Sequence, residues 1–534
     1  MSAGARRSRI VGPSVLRDHL GVSFGKRFGG DPRTGTMSDM TAPGSSRDRL
    51  ARVVRESSDA LVAWVDLRRR LLRCAGVQVC IRVGDEVLVS AALGTADVER
   101  GTDLTTSHLF RIASHSKTFT ATAVLQLREA GVLGLDDRLG RWVSELEDHP
   151  VGAVTVRELL GHQGGIVRDG EDADFWQLLG DFPGVDALLA EVRRDGVVLE
   201  PNTHFKYTNF GYSLLGLVIE RATGRTYADV VRERILDPLG LARVHPDIDG
   251  VPRQECAWGH SGHFGVELET FVLGSPSTGA MAPATGFVAC AEDLSAYAAA
   301  HAFGDERLLS DASKRLMQRD ETVLTVDGRE QGRYGLGLIV DEIGGRRLVG
   351  HSGGFPGFIT RTMVDPHTGL VVCVLTNQTG GPATELVTGL VKLIDVAQRD
   401  PMPEDDEVAA RSLPLGAPVG LAPQVAAERG IDPASFTGRF VSAWGYTDVR
   451  MLGDRLVAFS PDSPTPVDEY QDLRVVDADT LTARPQDGFG APGELWRFTR
   501  DDTGAATAMR SGGVTQWPEA TFFARYRDDT RARR

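Results

Sequence analysis

Three short stretches of this chain carry side chains that could perform acyl transfer. The first reads Phe110-Arg111-Ile112-Ala113-Ser114-His115-Ser116-Lys117 and opens a helix-like run. Ser114 and Lys117 stand three positions apart, so a helix puts them on one face, one turn from each other. A serine hydroxyl is a poor nucleophile until a base takes its proton. A lysine in a dry pocket can be that base, because desolvation lowers its pKa. Free N–H groups at a helix start can also stabilise an oxyanion. The same spacing recurs in Ser23-Phe24-Gly25-Lys26, where no helical pattern follows, so alone it identifies nothing.

The second stretch, Tyr207-Thr208-Asn209, precedes the apolar run Leu214 to Ile219. The third, His351-Ser352-Gly353-Gly354, lies between two strand-like runs. Ser-x-x-Lys, Tyr-x-Asn and His-x-Gly, in that order and well separated, resemble the serine hydrolase superfamily of class C β-lactamases, with its DD-carboxypeptidases, D-aminopeptidases and β-lactamase-like esterases. The resemblance covers residues 70–395. It takes in Val154 to Gly165, where Gln163-Gly164 departs from the His-Thr-Ser-Gly turn frequent in the family, and Thr285 to Val288 followed by Glu292-Asp293-Leu294.

The resemblance implies Ser114 as nucleophile, with Lys117 and Tyr207 moving protons. Asn209 would bind the substrate carbonyl or position Lys117. His351, Ser352, Gly353 and Gly354 would form a substrate-binding edge, with the Gly354 and Ser114 N–H groups as the oxyanion hole. An acyl-enzyme forms and water releases it, without metal or organic cofactor. His351 stands where many relatives carry Lys, which removes a fixed cation that would pair with a β-lactam carboxylate. The expected activity is therefore that of an esterase or a D-amino-acid-specific peptidase. The alternatives are a β-lactamase or DD-carboxypeptidase, and a penicillin-binding sensor or scaffold that acylates without turnover.

Two decoys use related residues. Gly350-His351-Ser352-Gly353-Gly354 fits Gly-x-Ser-x-Gly, but a nucleophile elbow leads from a strand into a helix. Here Phe355-Pro356-Gly357 and Ile359-Thr360 read as a turn and another strand. His260-Ser261-Gly262, with His263, lacks flanking strands and any further metal-ligand pattern, so no metal site is expected.

The elements that must position these groups are legible in outline. Residues 48–72 read as one amphipathic helix, followed by a hairpin of Val77–Val83 and Glu86–Ala92. The motif helix is expected from Ser114 to Ala130, ending at Gly131. Residues 136–305 read as a mostly helical half. Strands return at Tyr334–Val340, Arg347–Gly350, Phe358–Val364 and Leu370–Thr376. The expected fold is α+β, a β-lactamase/transpeptidase-like antiparallel sheet with flanking helices and a helical subdomain.

Beyond residue 430 the pattern turns all-β, with five short strands between turn signals, and suggests a small barrel. It resembles appendages of some D-aminopeptidases and is expected to narrow the cleft while being dispensable for Ser114 acylation. The expected domains are a disordered extension over 1–47, a catalytic domain over 48–400, a Pro- and Gly-rich linker over 401–429 and the barrel over 430–534.

The chain has 534 residues and a net charge of −14, which excludes a polyanion-binding surface, so nucleic acid is not an expected partner. No apolar run is long enough to span a membrane. The basic N-terminal stretch around Arg6 to Arg9 is followed by an interrupted apolar segment rather than an export signal, so a cytoplasmic location is expected. Five cysteines do not make a disulfide scaffold. The expected partner is a small-molecule or peptide substrate; oligomeric state is left open.

Overall fold

The structure is a computed structural model and describes residues 46–263, 269–326, 329–398, 431–452, 455–461, 471–483 and 490–531. The expected extension lies outside these residues but for its last two, and the expected linker lies outside them entirely. The amphipathic segment forms two helices, α1 (Ser46–Glu56) and α2 (Ser58–Leu71), separated at Ser57, whose ψ departs to near 0°.

Eleven strands follow before the barrel. They are β1 (Gly76–Val83), β2 (Glu86–Asp97), β3 (Thr102–Asp103), β4 (Phe110–Arg111), β5 (Val288–Ala289), β6 (Thr322–Val326), β7 (Arg329–Tyr334), β8 (Ile339–Ile343), β9 (Arg346–Phe355), β10 (Phe358–Val364) and β11 (Leu370–Thr376). Nine make one antiparallel sheet in the order β3-β2-β1-β11-β10-β9-β8-β7-β6, and β4 pairs with β5. The early hairpin therefore completes the sheet by laying β1 against β11, with Cys80 opposite Cys373. Both strands are buried along their whole length, as central strands covered on two faces should be.

One face of the sheet is covered by α1, α2 and the helix Ala383–Gln398, whose Leu386, Val387, Leu390 and Ile394 fill that layer. The other face packs on α3 (Ser116–Glu129) and on the helical half, which contains α4 (Val156–Leu160), α5 (Val185–Asp195) and α6 (Asn209–Thr223). Helix α3 is buried almost all round, so it forms the centre of this core. All five cysteines are buried free thiols.

Two boundaries differ from the sequence expectation for local reasons. The strand expected over Tyr334–Val340 is divided, because Gly337 (φ 80°) turns the chain against Ala121 of α3, where a Cβ would collide. Strand β9 runs on through His351–Gly354 to Phe355, so the third motif lies within a strand. Gly353 allows this, because a Cβ there would strike the Ile112 carbonyl and the Thr360 hydroxyl. Gly353→Ala should push β9 off the Ser114 turn and destabilise the fold by about 1–3 kcal/mol. Urea unfolding measures this, and an unchanged midpoint would remove the close-approach argument.

The tail is a closed eight-stranded barrel of β12 (Gly438–Ser442), β13 (Gly445–Leu452), β14 (Arg455–Phe459), β15 (Gln471–Val475), β16 (Thr480–Ala483), β17 (Leu495–Arg500), β18 (Ala506–Ser511) and β19 (Val514–Pro518). The pairing of β12 with β19 closes it. Its interior is a separate apolar cluster around Phe440, Leu456, Trp496 and Phe498. Val441, Ala443 and Val514, with Phe522 and Tyr526 of the terminal helix Glu519–Arg531, instead join the large core of the catalytic fold. Ser45–Arg534 cluster as one unit.

Candidate active site

Ser114 does not begin α3. It occupies a single 3₁₀ turn, Ala113–His115, that feeds into the helix, and Ala113 holds a left-handed φ of 48°. Such a conformation costs about 1–2 kcal/mol in a non-glycine residue, so the surroundings must enforce it. Ser116 does part of this: its hydroxyl donates to the Ala113 carbonyl at 2.6 Å and accepts from the Phe287 N–H at 3.1 Å. The 3₁₀ turn still leaves Ser114 and Lys117 on the same side, with Lys117 Nζ 3.3 Å from Ser114 Oγ.

Lys117 is fully buried. Its Nζ lies 2.6 Å from Asn209 Oδ1 and 2.9 Å from the Ala284 carbonyl. Burial pulls its pKa well below the usual lysine range; Asp169 opposes that pull and Arg168 adds to it. A neutral amine satisfies this geometry. Its two N–H groups meet the two carbonyl oxygens, and its lone pair faces the Ser114 hydroxyl. Tyr207 donates its phenol to Ser114 Oγ at 2.8 Å, and burial raises its pKa, so it is a phenol here and not a phenolate.

Asn209 opens α6 and acts on Lys117. Its amide is oriented by Asp169, whose Oδ1 accepts from Nδ2 at 2.8 Å. Asp169 is itself buried and pairs with Arg168 Nη1 at 3.2 Å. His162 sits against Tyr207, Tyr212, Tyr334 and Phe205, with its ring centroid 4.4 Å from that of Tyr207. Its Nδ1 accepts from the Thr208 N–H at 3.2 Å and its carbonyl accepts from the Lys206 N–H at 2.8 Å, fixing the backbone on both sides of Tyr207.

His351 is buried on β9, and burial holds its pKa well below the usual histidine range. Tyr334 OH lies 3.0 Å from its Nε2, and its Nδ1 meets the Ser352 carbonyl, an arrangement that suits the neutral imidazole. Ser114, Tyr207, Asn209, His351, Ser352 and Gly354 all face one cleft of about 450 Å³. Gly353 stands between them on β9 against the Ser114 turn. All eight residues singled out in the sequence thus meet at one place.

The decoys do not. His260 is buried, bonded to the Asn377 carbonyl at 2.7 Å. Ser352 sits mid-strand, and β10 follows the turn after β9, so no helix follows it as an elbow requires. No cluster of metal ligands occurs among the described residues. Ser23-Phe24-Gly25-Lys26 lies outside them.

Half of the cleft comes from the barrel. Ser442, Trp444, Gly445, Tyr446 and Thr447, at the turn between β12 and β13, face Ser114 together with Ser460, Val514 and Gln516. Trp444 is 37% exposed and leans on Gly354, where an added Cβ would come within 3.3 Å of its ring; it also meets Trp176 edge-on at 6.3 Å. Asp169, Arg168, His162, Tyr334 and this turn were not picked out as site residues in the sequence. Of these, only His162 lies in one of the short matching segments, Val154 to Gly165.

An antiparallel sheet carrying Ser114, Lys117 and Tyr207 against a helical subdomain is the architecture of the β-lactamase fold. The chain belongs to the Beta-lactamase family, whose profile matches residues 63–394. It is 30% identical to Penicillin-binding protein 4* of Bacillus subtilis (strain 168), over 52% of this chain and 62% of that one. It is also 30% identical to a D-aminopeptidase of Brucella anthropi, over 53% of this chain and 52% of the other. The chain thus spans half to three-fifths of these relatives' lengths. Among solved structures, the crystal structure of SurE matches 87% of this chain and 100% of its own, at 25% identity and a TM-score of 0.57. SurE with D-Leu matches at 25% identity and a TM-score of 0.54.

Proposed function

We propose that this chain is a serine hydrolase acting through an acyl-enzyme on amide or ester bonds, with substrates that carry a D-residue as the favoured class. The observation that carries the reading is the convergence on one oxygen: Tyr207 OH lies 2.8 Å and Lys117 Nζ 3.3 Å from Ser114 Oγ in an open cleft. Lys117 takes the proton as Ser114 attacks the carbonyl. The N–H groups of Ser114 and Gly354 receive the oxyanion, and Tyr207 passes a proton to the departing amine or alcohol. Water then cleaves the acyl ester, with the same groups moving the protons in reverse.

Substrate class is supported by two features. His351 is neutral, and Arg168, the one charged side chain among the described cleft-lining residues, is already engaged by Asp169. The cleft therefore offers no uncompensated cation to a β-lactam carboxylate, which places β-lactamase behind ester or peptide hydrolysis. The likeness to a D-aminopeptidase and to SurE, solved with D-Leu, supports a D-configured residue.

A panel of p-nitrophenyl acetate, the p-nitroanilides of D- and L-alanine, and nitrocefin tests this. The expected result is turnover of the ester and of the D-anilide, with the D-anilide preferred over its L-isomer by about tenfold or more, the scale of pocket discrimination. Fast nitrocefin turnover with negligible activity on the others would overturn the ranking. Acylation without turnover of any of them would favour a penicillin-binding sensor.

The base also sets a pH dependence. Activity rises through the depressed pKa of Lys117, because only the neutral amine accepts a proton. Arg168 helps depress that pKa, so Arg168→Gln should raise it and move the acid limb of the kcat/KM profile to higher pH. A limb that stays in place or moves to lower pH would remove Lys117 as the titrating base.

A further inference from the structure

We propose that Glu494, a residue of the barrel, is a positioning residue for acylation, holding in place the backbone that carries Tyr207 and Asp169. This rests on the acyl-enzyme reading above. Glu494 lies at the foot of β17, far from the cleft floor in sequence, yet its Oε1 accepts from two groups of the catalytic fold. One is the ammonium of Lys206, which is fully buried; the other is the Arg168 N–H, at 3.0 Å. Lys206 is the neighbour of Tyr207, and Arg168 is the neighbour of Asp169. One carboxylate oxygen therefore ties together the roots of both arms that reach the nucleophile. The first arm is Tyr207 to Ser114, and the second is Asp169 to Asn209 to Lys117.

Burial separates this contact from the other ion pairs between the barrel and the catalytic fold. Arg497–Glu171 and Arg510–Asp174 are partly solvated, and pairs of that kind contribute little. Glu494 is 7% exposed. Among the described residues it is the one hydrogen-bond acceptor shown for the Lys206 ammonium. Burial lowers the Lys206 pKa and the neighbouring Glu494 carboxylate works against that. The preceding Gly493 (φ 76°) passes so near Leu199 that a Cβ would overlap its side chain, which fixes where the carboxylate can be delivered.

A purely structural ion pair would change stability and leave each folded site as active as before; a positioning residue changes the rate per site. The test is the acylation rate constant of full-length Glu494→Gln with p-nitrophenyl acetate, normalised by counting reactive Ser114 with a fluorophosphonate probe at completion. The expected result is a loss of about tenfold to hundredfold in that constant with KM changed less than about twofold, the size of a misplaced proton-transfer group. Because Tyr207 is one of the two arms that Glu494 holds, its effect in a Tyr207→Phe background should shrink by about threefold or more. Glu494→Asp, which keeps the charge with a shorter reach, should fall between wild type and Glu494→Gln, and it carries the same cycle if the Gln variant does not fold. An unchanged rate per titrated site, or equal losses in both backgrounds, would overturn the proposal. Ser114→Ala belongs in the same series. If that variant still labels and turns over, the acyl-enzyme reading itself fails. If it is dead while Glu494→Gln is normal, only the positioning role fails.

Discussion

Ser114→Ala is expected to lower turnover of every substrate by roughly 10⁵-fold or more and to abolish fluorophosphonate labelling, as removal of a nucleophile does elsewhere. The expectation follows from geometry. Ser114 Oγ is the atom on which the Tyr207 phenol and the Lys117 amine converge. Tyr207→Phe should cost less, about 10²- to 10⁴-fold, because it removes one proton-transfer group and leaves nucleophile and base in place. Ser352→Ala is the control that matters most. Ser352 lies in mid-strand on the same cleft, and its loss should leave labelling intact. If Ser352→Ala abolished labelling while Ser114→Ala preserved it, the nucleophile would have to be reassigned.

The second large effect concerns the barrel. Ending the chain before residue 431 should cost the catalytic fold itself, and with it acylation, by about 5 kcal/mol or more of stability. That is on the scale of a whole domain's margin. Three losses add up. Trp176 and its neighbours lose Val441, Ala443, Val514, Phe522 and Tyr526 from a shared core, at about 25 cal/mol per Å² of apolar surface exposed. Lys206 loses its buried partner, a break that costs about 3–5 kcal/mol when one charge is left behind. Asp174 and Gln177 lose their bonds to Thr515, both as short as 2.6 Å, though water replaces these in part. Urea unfolding of the truncated chain beside the full one measures the stability loss, and probe labelling follows the site. A truncated protein with an unchanged midpoint and labelling rate would show the barrel to be an independent appendage.

That expectation reverses what the sequence suggests, where the tail reads as dispensable for acylation. The reason is instructive. Strand alternation announces a barrel but not which of its side chains face outward onto another surface, so Glu494, Trp444 and Thr515 look like any other barrel residues. Three of the eight strands, β12, β16 and β19, are not legible in the sequence, because each is short and mixes Gly, Ser, Thr, Gln or Pro with its apolar residues.

What the sequence determines by itself is whatever depends on near neighbours. Ser-x-x-Lys puts two side chains on one side whether the turn is 3₁₀, as at Ser114, or α, because i and i+3 lie together in both. The order of the three motifs and the continuous apolar strand runs likewise make the sheet and its family legible, since a short apolar run bounded by turn residues is a local property of the chain. Helix starts are less legible: α3 begins at Ser116 because the left-handed Ala113 and the Ser116 hydroxyl close a tighter turn first, which no propensity encodes.

The tertiary structure alone decided the state and the surroundings of the reactive groups. Burial depresses the Lys117 pKa, while Asn209, itself held by Asp169, fixes where its Nζ lies. Burial, with His115 beside it, holds the His351 pKa well below the usual histidine range, against the opposing pull of the Ser352 carbonyl. The link between the Arg168 N–H and Glu494 spans 326 positions in the chain. Desolvation and contact at such separations arise from packing the whole chain, and no spacing rule within a motif contains them.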